Sequence, residues 1–156
     1  MIGNDIVDLG QAKKESNWRR KGYLEKIFTA DEQFLISTAE DPEIMVWLLW
    51  SMKESVYKVY TNGTKIRTFA PAAISCSNLI VHEKMATGNV SYQQQAYFTC
   101  SSIAEKYLHT IAACDKNLLD KVQVQISPYD PLDSGYKATN PLSVSHHGDY
   151  LALIYL

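Results

Sequence analysis

Trp50-Ser51-Met52-Lys53-Glu54-Ser55-Val56-Tyr57-Lys58 is the stretch from which the rest of the chain is read. It lies in a run from Glu43 to Asn62 that lacks Gly and Pro, and that run predicts a helix. At about 100° per residue, Met45, Leu48, Leu49, Met52, Val56, Val59 and Tyr60 share one side and make a core stripe. The opposite side, which on a surface helix is rich in Lys and Glu, carries Trp47, Trp50 and Tyr57 with Glu54 and Lys58 set among them. A helix that is apolar on both faces is covered on both. The pattern therefore predicts a cleft holding Glu54 and Lys58 one turn apart. An (i, i+4) Glu–Lys pair on an open surface is an ion pair contributing only about 0.2–0.5 kcal/mol. The aromatic neighbours favour a functional pair over that alternative.

Ile2 to Leu9 alternates as a strand, with Gly3, Asp5, Val7 and Leu9 on one face and Ile2, Asn4, Ile6 and Asp8 on the other. Both faces are partly apolar, so the strand is predicted to be covered on both sides. Asp5 is then a carboxylate between apolar neighbours, a placement that costs several kcal/mol unless it is paired, hydrogen-bonded or bound to a metal. Asp8, followed by Leu9-Gly10, reads as a turn or cap residue.

The bulk composition sets the class. A chain of 156 residues is long enough for one domain, 1–156, with its own core. Its hydrophobic fraction of 46% and charged fraction of 21% are those of a soluble globular protein. A net charge of −2 gives no general electrostatic case for binding nucleic acid. No apolar run approaches membrane-spanning length, and the start does not read as a signal peptide. Cys76, Cys100 and Cys114 are odd in number, far apart and without metal-ligand spacing; they read as reduced thiols of a cytoplasmic protein.

Gln11 to Phe28 reads as a basic helical segment interrupted at Gly22, with Lys13, Lys14, Arg19, Arg20, Lys21 and Lys26 either solvated or forming a patch for an acidic partner. Thr29-Ala30-Asp31-Glu32 is a capping box that starts a helix running to about Thr38. Pro42 restarts the chain into the long helix. Asn62-Gly63 predicts a turn, after which Lys65 and Arg67 are candidate phosphate contacts. Strands follow at Ala73–His82, Asn89–Cys100, Tyr107–Cys114, Val122–Ser127 and Tyr150–Leu156, with one of the turns expected at Thr87-Gly88-Asn89. His146, after Ser145 at a strand edge, is placed to meet an anion. The expected fold is α+β, an antiparallel sheet packed with two or three helices.

Three separated pieces resemble one family. Gly3-Asn4-Asp5-Ile6-Val7, Trp50 with Lys53-Glu54-Ser55 and Lys58, and Ser145-His146 are similar to the motifs of 4′-phosphopantetheinyl transferases. Phe28-Thr29 with Glu32 resembles that family's short Phe-x-x-x-Glu element. The resemblance covers Met1 to about Phe69 well, and Ala70 to about Pro141 in pattern only. It implies transfer of the phosphopantetheine arm of coenzyme A to a serine of an acyl or peptidyl carrier protein, in fatty-acid, polyketide or peptide synthesis. It also implies Mg²⁺ held by Asp5 and Glu54, Lys58 on the pyrophosphate, and His146 on a phosphate of coenzyme A, with Lys65 and Arg67 as further candidates for that contact. The serine proton goes to Glu54 or to a metal-bound water. Val7 stands where the larger, surfactin-synthetase-type enzymes carry a second acid, so two protein carboxylates are expected on the metal. Asp8 and the C-terminal Ser-His resemble the small holo-acyl carrier protein synthases, which implies a possible homo-oligomer. The site is then completed by a neighbouring subunit, or within one chain if the last strand lies beside the first. Two other classes compete: a binding module on the same scaffold for a carrier protein or coenzyme A, and a structural domain in which Glu54–Lys58 is a packed ion pair.

Overall fold

A computed structural model describes residues 1–156. In chain order the elements are β1 (Ile2–Asp8), α1 (Leu9–Glu15), α2 (Tyr23–Ile27), α3 (Ala30–Thr38), α4 (Pro42–Thr64), β2 (Ser75–His82), β3 (Met85–Tyr92), β4 (Gln95–Ile103), β5 (Tyr107–Ala113), α5 (Lys116–Leu119), β6 (Gln123–Pro128), β7 (Ser143–His147) and β8 (Tyr150–Tyr155). The architecture is the expected α+β, but the strands form two antiparallel sheets, ordered β1-β5-β4-β3-β2 and β6-β8-β7. There are five helices rather than two or three, and only α3 and α4 exceed two turns. No helix is long and apolar enough to cross a membrane. All three cysteines are free thiols.

The long helix lies across one face of the first sheet. Val46, Leu49, Met52, Val56 and Val59 of α4 pack in one core with Val90, Tyr97, Leu108 and Ala112 from the sheet. The other face of β1 and β5 is closed by the second sheet, through a cluster of Ile2, Ile111, Ala113 and Ile154. Strand β1 is therefore covered on both sides, as its alternation predicts. Its contact with α4 is unusually close. A Cβ added at Gly3 would lie 2.4 Å from the carbonyl oxygen of Ser55 and 3.0 Å from Val59. Glycine at 3 and the small Ser51 and Ser55 opposite let the two backbones meet.

Strand β1 is also the edge of its sheet, and its outward N–H groups are taken by side chains rather than by another ladder. Asn4 N–H donates to Ser143 Oγ at 3.2 Å, Ile6 N–H to Ser145 Oγ at 3.1 Å, and Asp8 N–H to His147 Nδ1 at 2.9 Å. The offset is 139 residues each time, so β7 runs parallel to β1, with every second side chain facing it. This seam satisfies donors that an edge strand otherwise leaves free.

Three local expectations are corrected. Asn62-Gly63 does not turn the chain: both lie in the last turn of α4, and a Cβ on Gly63 would fall 2.3 Å from Met1 Cε, so glycine is there for packing. Thr87-Gly88-Asn89 is not a turn but the middle of β3, where a Cβ at Gly88 would meet Met52 Cε at 2.7 Å. The hairpin turns on either side of β3 are Glu83-Lys84, joining β2 to β3, and Gln93-Gln94, both at positive φ (49° and 62°), joining β3 to β4. The basic segment is two short helices separated by turns. Gly22 caps the second at φ 84°, a left-handed position that favours glycine.

Candidate active site

Trp47, Trp50 and Glu54, three and four residues apart on α4, share a face and border a cleft of about 400 Å³. Asp5 of β1 lies in the same cleft, and His146 and His147 of β7 form its other side. Glu15, Ser16 and Tyr23, from α1 and the segment after it, complete the rim. The second apolar face of α4 is closed further along by Phe69, whose ring sits 5.6 Å from Trp50 and 4.8 Å from Tyr57. The helix that is apolar on both sides thus has one face in the core and one in a cleft.

Two carboxylates of the cleft, Asp5 and Glu54, are raised above their ordinary pKa values. Asp5 is buried, and burial raises its pKa against the opposing pull of Lys58 and of hydrogen bonds from neighbouring side chains. Ser145 Oγ donates to Asp5 Oδ1 at 3.2 Å, and Lys58 Nζ approaches the same oxygen at 3.5 Å. Glu54 is pushed up to about 7, first by burial and then by the charge of Asp5, with Lys58 acting in the opposite direction. The packed Glu54–Lys58 ion pair does not form. Lys58 turns instead to β1, donating to the carbonyl of Asn4 at 2.8 Å as well as to Asp5. Neither of the two lysine–carboxylate ion pairs, nor the His147–Glu15 contact, includes Glu54.

Lys53, next to Glu54 in sequence, faces away from the cleft. Its fully buried ammonium pairs with the equally buried Glu32 at 2.5 Å and donates to the carbonyls of Ile27 and Pro71, each at 2.9 Å. Glu32 also accepts from Thr29 N–H at 3.1 Å, closing the expected capping box, and from Cys76 N–H at 3.3 Å. One ion pair thereby ties α3 and α4 to the end of α2 and the start of β2. Its attraction offsets the several kcal/mol that desolvating each charge costs, because every remaining donor and acceptor is matched.

The histidines divide their tasks. His146 is exposed and stacks on Tyr129, with ring centroids 4.2 Å apart and planes 13° from parallel. Its neighbour His147 is structural: Nδ1 accepts from β1, and Nε2 lies 3.1 Å from Glu15. Asp8 caps α1 through Gln11 N–H at 3.0 Å and also accepts from Asp149 N–H at 2.9 Å. Burial alone would raise its pKa, but these backbone donors and His147 outweigh it and the carboxyl is held low. Gly148 approaches the same carboxylate so closely that a Cβ there would sit 2.2 Å from Oδ2.

Of the candidate residues, Asp5, Glu54 and His146 are brought together in the cleft, with Lys58 reaching it through Asp5. Lys65 and Arg67 are not brought there; with Tyr57, Thr61 and Asn62 they border a separate depression. Sequence reasoning passed over Asn4, His109 and His147. Only the last carried a signal, the polar alternation Ser143, Ser145, His147. The basic residues Lys13, Lys14, Arg19 and Arg20 are exposed on the segment that supplies the cleft rim, and the guanidinium carbon of Arg19 sits over the Trp18 ring, 4.0 Å from its centroid.

No group of three or more His, Cys, Asp or Glu side chains is arranged to hold a metal ion by itself. Glu15 at the rim is engaged with His147, and the cleft otherwise offers the carboxylates of Asp5 and Glu54, the latter without a cationic partner. That set suits a hard divalent ion which keeps waters and leans on substrate phosphates. Among known proteins, the family model for the 4′-phosphopantetheinyl transferase superfamily matches residues 1–112, a span that includes Asp5, Glu54 and Lys58 but not His146. No curated protein matches the chain.

Proposed function

The chain belongs to the 4′-phosphopantetheinyl transferase superfamily, and from that premise we propose that it transfers the 4′-phosphopantetheine arm of coenzyme A to a serine of an acyl or peptidyl carrier protein. The observation that supports this reading is the convergence of Asp5 and Glu54, distant in sequence, on one cleft where the charge of Asp5 acts on Glu54. In the proposed reaction the serine Oγ forms a bond to the pantetheine-side phosphorus. The bond from that phosphorus to the bridging oxygen breaks, and adenosine 3′,5′-bisphosphate leaves.

Asp5 and Glu54 are the residues to hold Mg²⁺. The ion, when bound, neutralises charge on the pyrophosphate and polarises the phosphorus under attack. Glu54 is also the group proposed to receive the serine proton, as the carboxylate of the cleft without a cationic partner. Lys58 steadies the departing phosphate with its ammonium. His146, held by its stack on Tyr129, meets a further phosphate of coenzyme A. The apolar walls at Trp47 and Trp50 exclude water from the phosphoryl centre. Lys65 and Arg67 open on a different depression and stand outside this scheme. The basic rim from Lys13 to Arg20 is the docking face for an acidic carrier protein. That His146 borders the same cleft as Asp5 supports a site furnished within one chain rather than between subunits.

The test is incubation with coenzyme A, Mg²⁺ and a panel of apo carrier proteins, read by intact mass. The expected result is one added phosphopantetheine, abolished by Asp5→Asn and by Glu54→Gln in variants that keep their fold. A chain that binds a carrier or coenzyme A but adds no mass to any carrier is a binding module, and the proposal fails.

A further inference from the structure

Behind the cleft lies a buried polar group that packing alone does not require. Asn4 is fully buried on the face of β1 opposite Asp5, beneath the second sheet. Its amide nitrogen lies 3.2 Å from the carbonyl oxygen of Ala152 on β8 and 3.1 Å from His109 Nε2 on β5. A carbonyl can only accept, so the Asn4 NH₂ points to Ala152 and offers its second hydrogen to His109. His109 Nε2 then carries no proton, and the ring is neutral with its proton on Nδ1. Burial, and then the charge of Lys58, pull the His109 pKa down to about 4, in keeping with that form. The amide oxygen of Asn4 has no partner, so the arrangement retains an unrelieved desolvation cost. An apolar pair at these two positions would avoid it, and β1 and β5 are already joined by a regular antiparallel ladder.

The arrangement acts on the backbone of Asn4. Its N–H faces the β7 seam, and in an antiparallel pair the C=O of the same residue faces the same side. That carbonyl is therefore outside the ladder, and it is the acceptor that Lys58 Nζ approaches most closely, at 2.8 Å against 3.5 Å for Asp5. We propose that Asn4 and His109 are positioning residues, a buried lock that fixes the edge carbonyl of β1 and through it the Lys58 ammonium beside the cleft. The inference deepens the transferase reading in that it names what holds Lys58. Neither residue touches the substrates.

The experiment compares His109→Gln, whose amide oxygen keeps an acceptor for Asn4, with His109→Leu, which has none. Two readouts are taken: the ¹⁵Nζ resonance of Lys58, assigned by Lys58→Arg, and the steady-state constants for coenzyme A with an apo carrier protein. The expected result for His109→Leu is a displaced Lys58 resonance and a kcat lowered by about tenfold to a hundredfold at unchanged carrier KM, the loss that misplacing a charged group by a fraction of an ångström to an ångström produces. His109→Gln restores both. A folded His109→Leu protein with the native Lys58 resonance overturns the proposal. So does a wild-type imidazole whose ¹⁵N shifts place the proton on Nε2, a measurement that needs no variant to fold. The resonance is read without any transfer, so an inactive chain would sink the transferase assignment while leaving this lock to be judged on its own.

Discussion

Replacing Gly3 by alanine tests whether the close approach of β1 and α4 builds the cleft. The added methyl would stand 2.4 Å from the Ser55 carbonyl oxygen, whereas ordinary contact begins at 3.4 Å. Neither partner yields easily. The obstructing atom is helix backbone, and β1 is held by its ladder to β5 on one side and by the three-point seam to β7 on the other. The strand must retreat by the difference, about 1 Å, and overpacking of this kind destabilises by about 1–3 kcal/mol. The same retreat moves Asp5 away from Glu54 and Lys58, and a 1 Å misplacement of reacting groups lowers a rate by about a hundredfold. Urea unfolding measures the first effect, and the initial rate of mass addition to an apo carrier measures the second. Gly10→Ala is the control: in α1 the new Cβ would lie 3.5 Å from Asp8 Oδ1, an ordinary contact, and alanine suits a helix better than glycine. Gly3→Ala with the native unfolding midpoint and the native rate would refute the reasoning.

The other expected outcomes concern charge and stacking. Lys53→Met strands the buried Glu32 carboxylate and lowers stability by about 3–5 kcal/mol. Adding Glu32→Gln, which keeps the cap on Thr29 but removes the charge, recovers part of that loss in the same urea assay. In the metal-free chain Glu54 and His109 give opposite pH slopes. Glu54 is raised from 4.5 to about 7, so its contribution to stability is full below 4.5 and is lost as pH rises through 7, and Asp5, also raised, acts in the same direction. His109 is lowered from 6.5 to about 4, so its contribution is full above 6.5 and is lost as pH falls through 4. Relative to the wild type, Glu54→Gln should therefore show stability declining less as pH rises between 4.5 and 7, and His109→Gln should show it climbing less between 4 and 6.5; denaturation midpoints across this range check both signs. Tyr129→Ala removes the stack beneath His146 and weakens coenzyme A binding by about 0.5–1.5 kcal/mol, while Tyr129→Phe does not; isothermal titration reads the difference.

What the sequence disclosed depended on whether the signal was periodic. The face of α4 bearing Trp47, Trp50 and Glu54 was legible because apolar residues on two sides of a helix leave a countable pattern. The double coverage of β1 was legible for the same reason. Gly88 misled because glycine beside asparagine is common in turns, and only the sheet shows that its missing side chain makes room for Met52. The actual turns at Glu83-Lys84 and Gln93-Gln94 carry neither glycine nor asparagine and give no local sign. Lys53 and Glu54 are neighbours with opposite surroundings, one sealed in the core and one at the cleft, and a helical wheel separates them by only 100°. The meeting of Asp5, Glu54 and His146 depends on contacts between distant segments. Residue types alone suggested Asp5 as anomalous, but its partners came from family resemblance rather than from spacing.

The β1–β7 seam gives this protein a failure mode distinct from loss of turnover. Its three acceptors are individual side chains, so a single change, Ser145→Val for instance, leaves the Ile6 amide bare and removes the hydroxyl that donates to Asp5. An uncapped outer strand offers its amides to whatever polypeptide is nearest, including another copy's own exposed margin. Lesions along 143–147 should therefore show first as intermolecular sheet growth and poor solubility during synthesis, before any kinetic deficit can be measured on the soluble fraction.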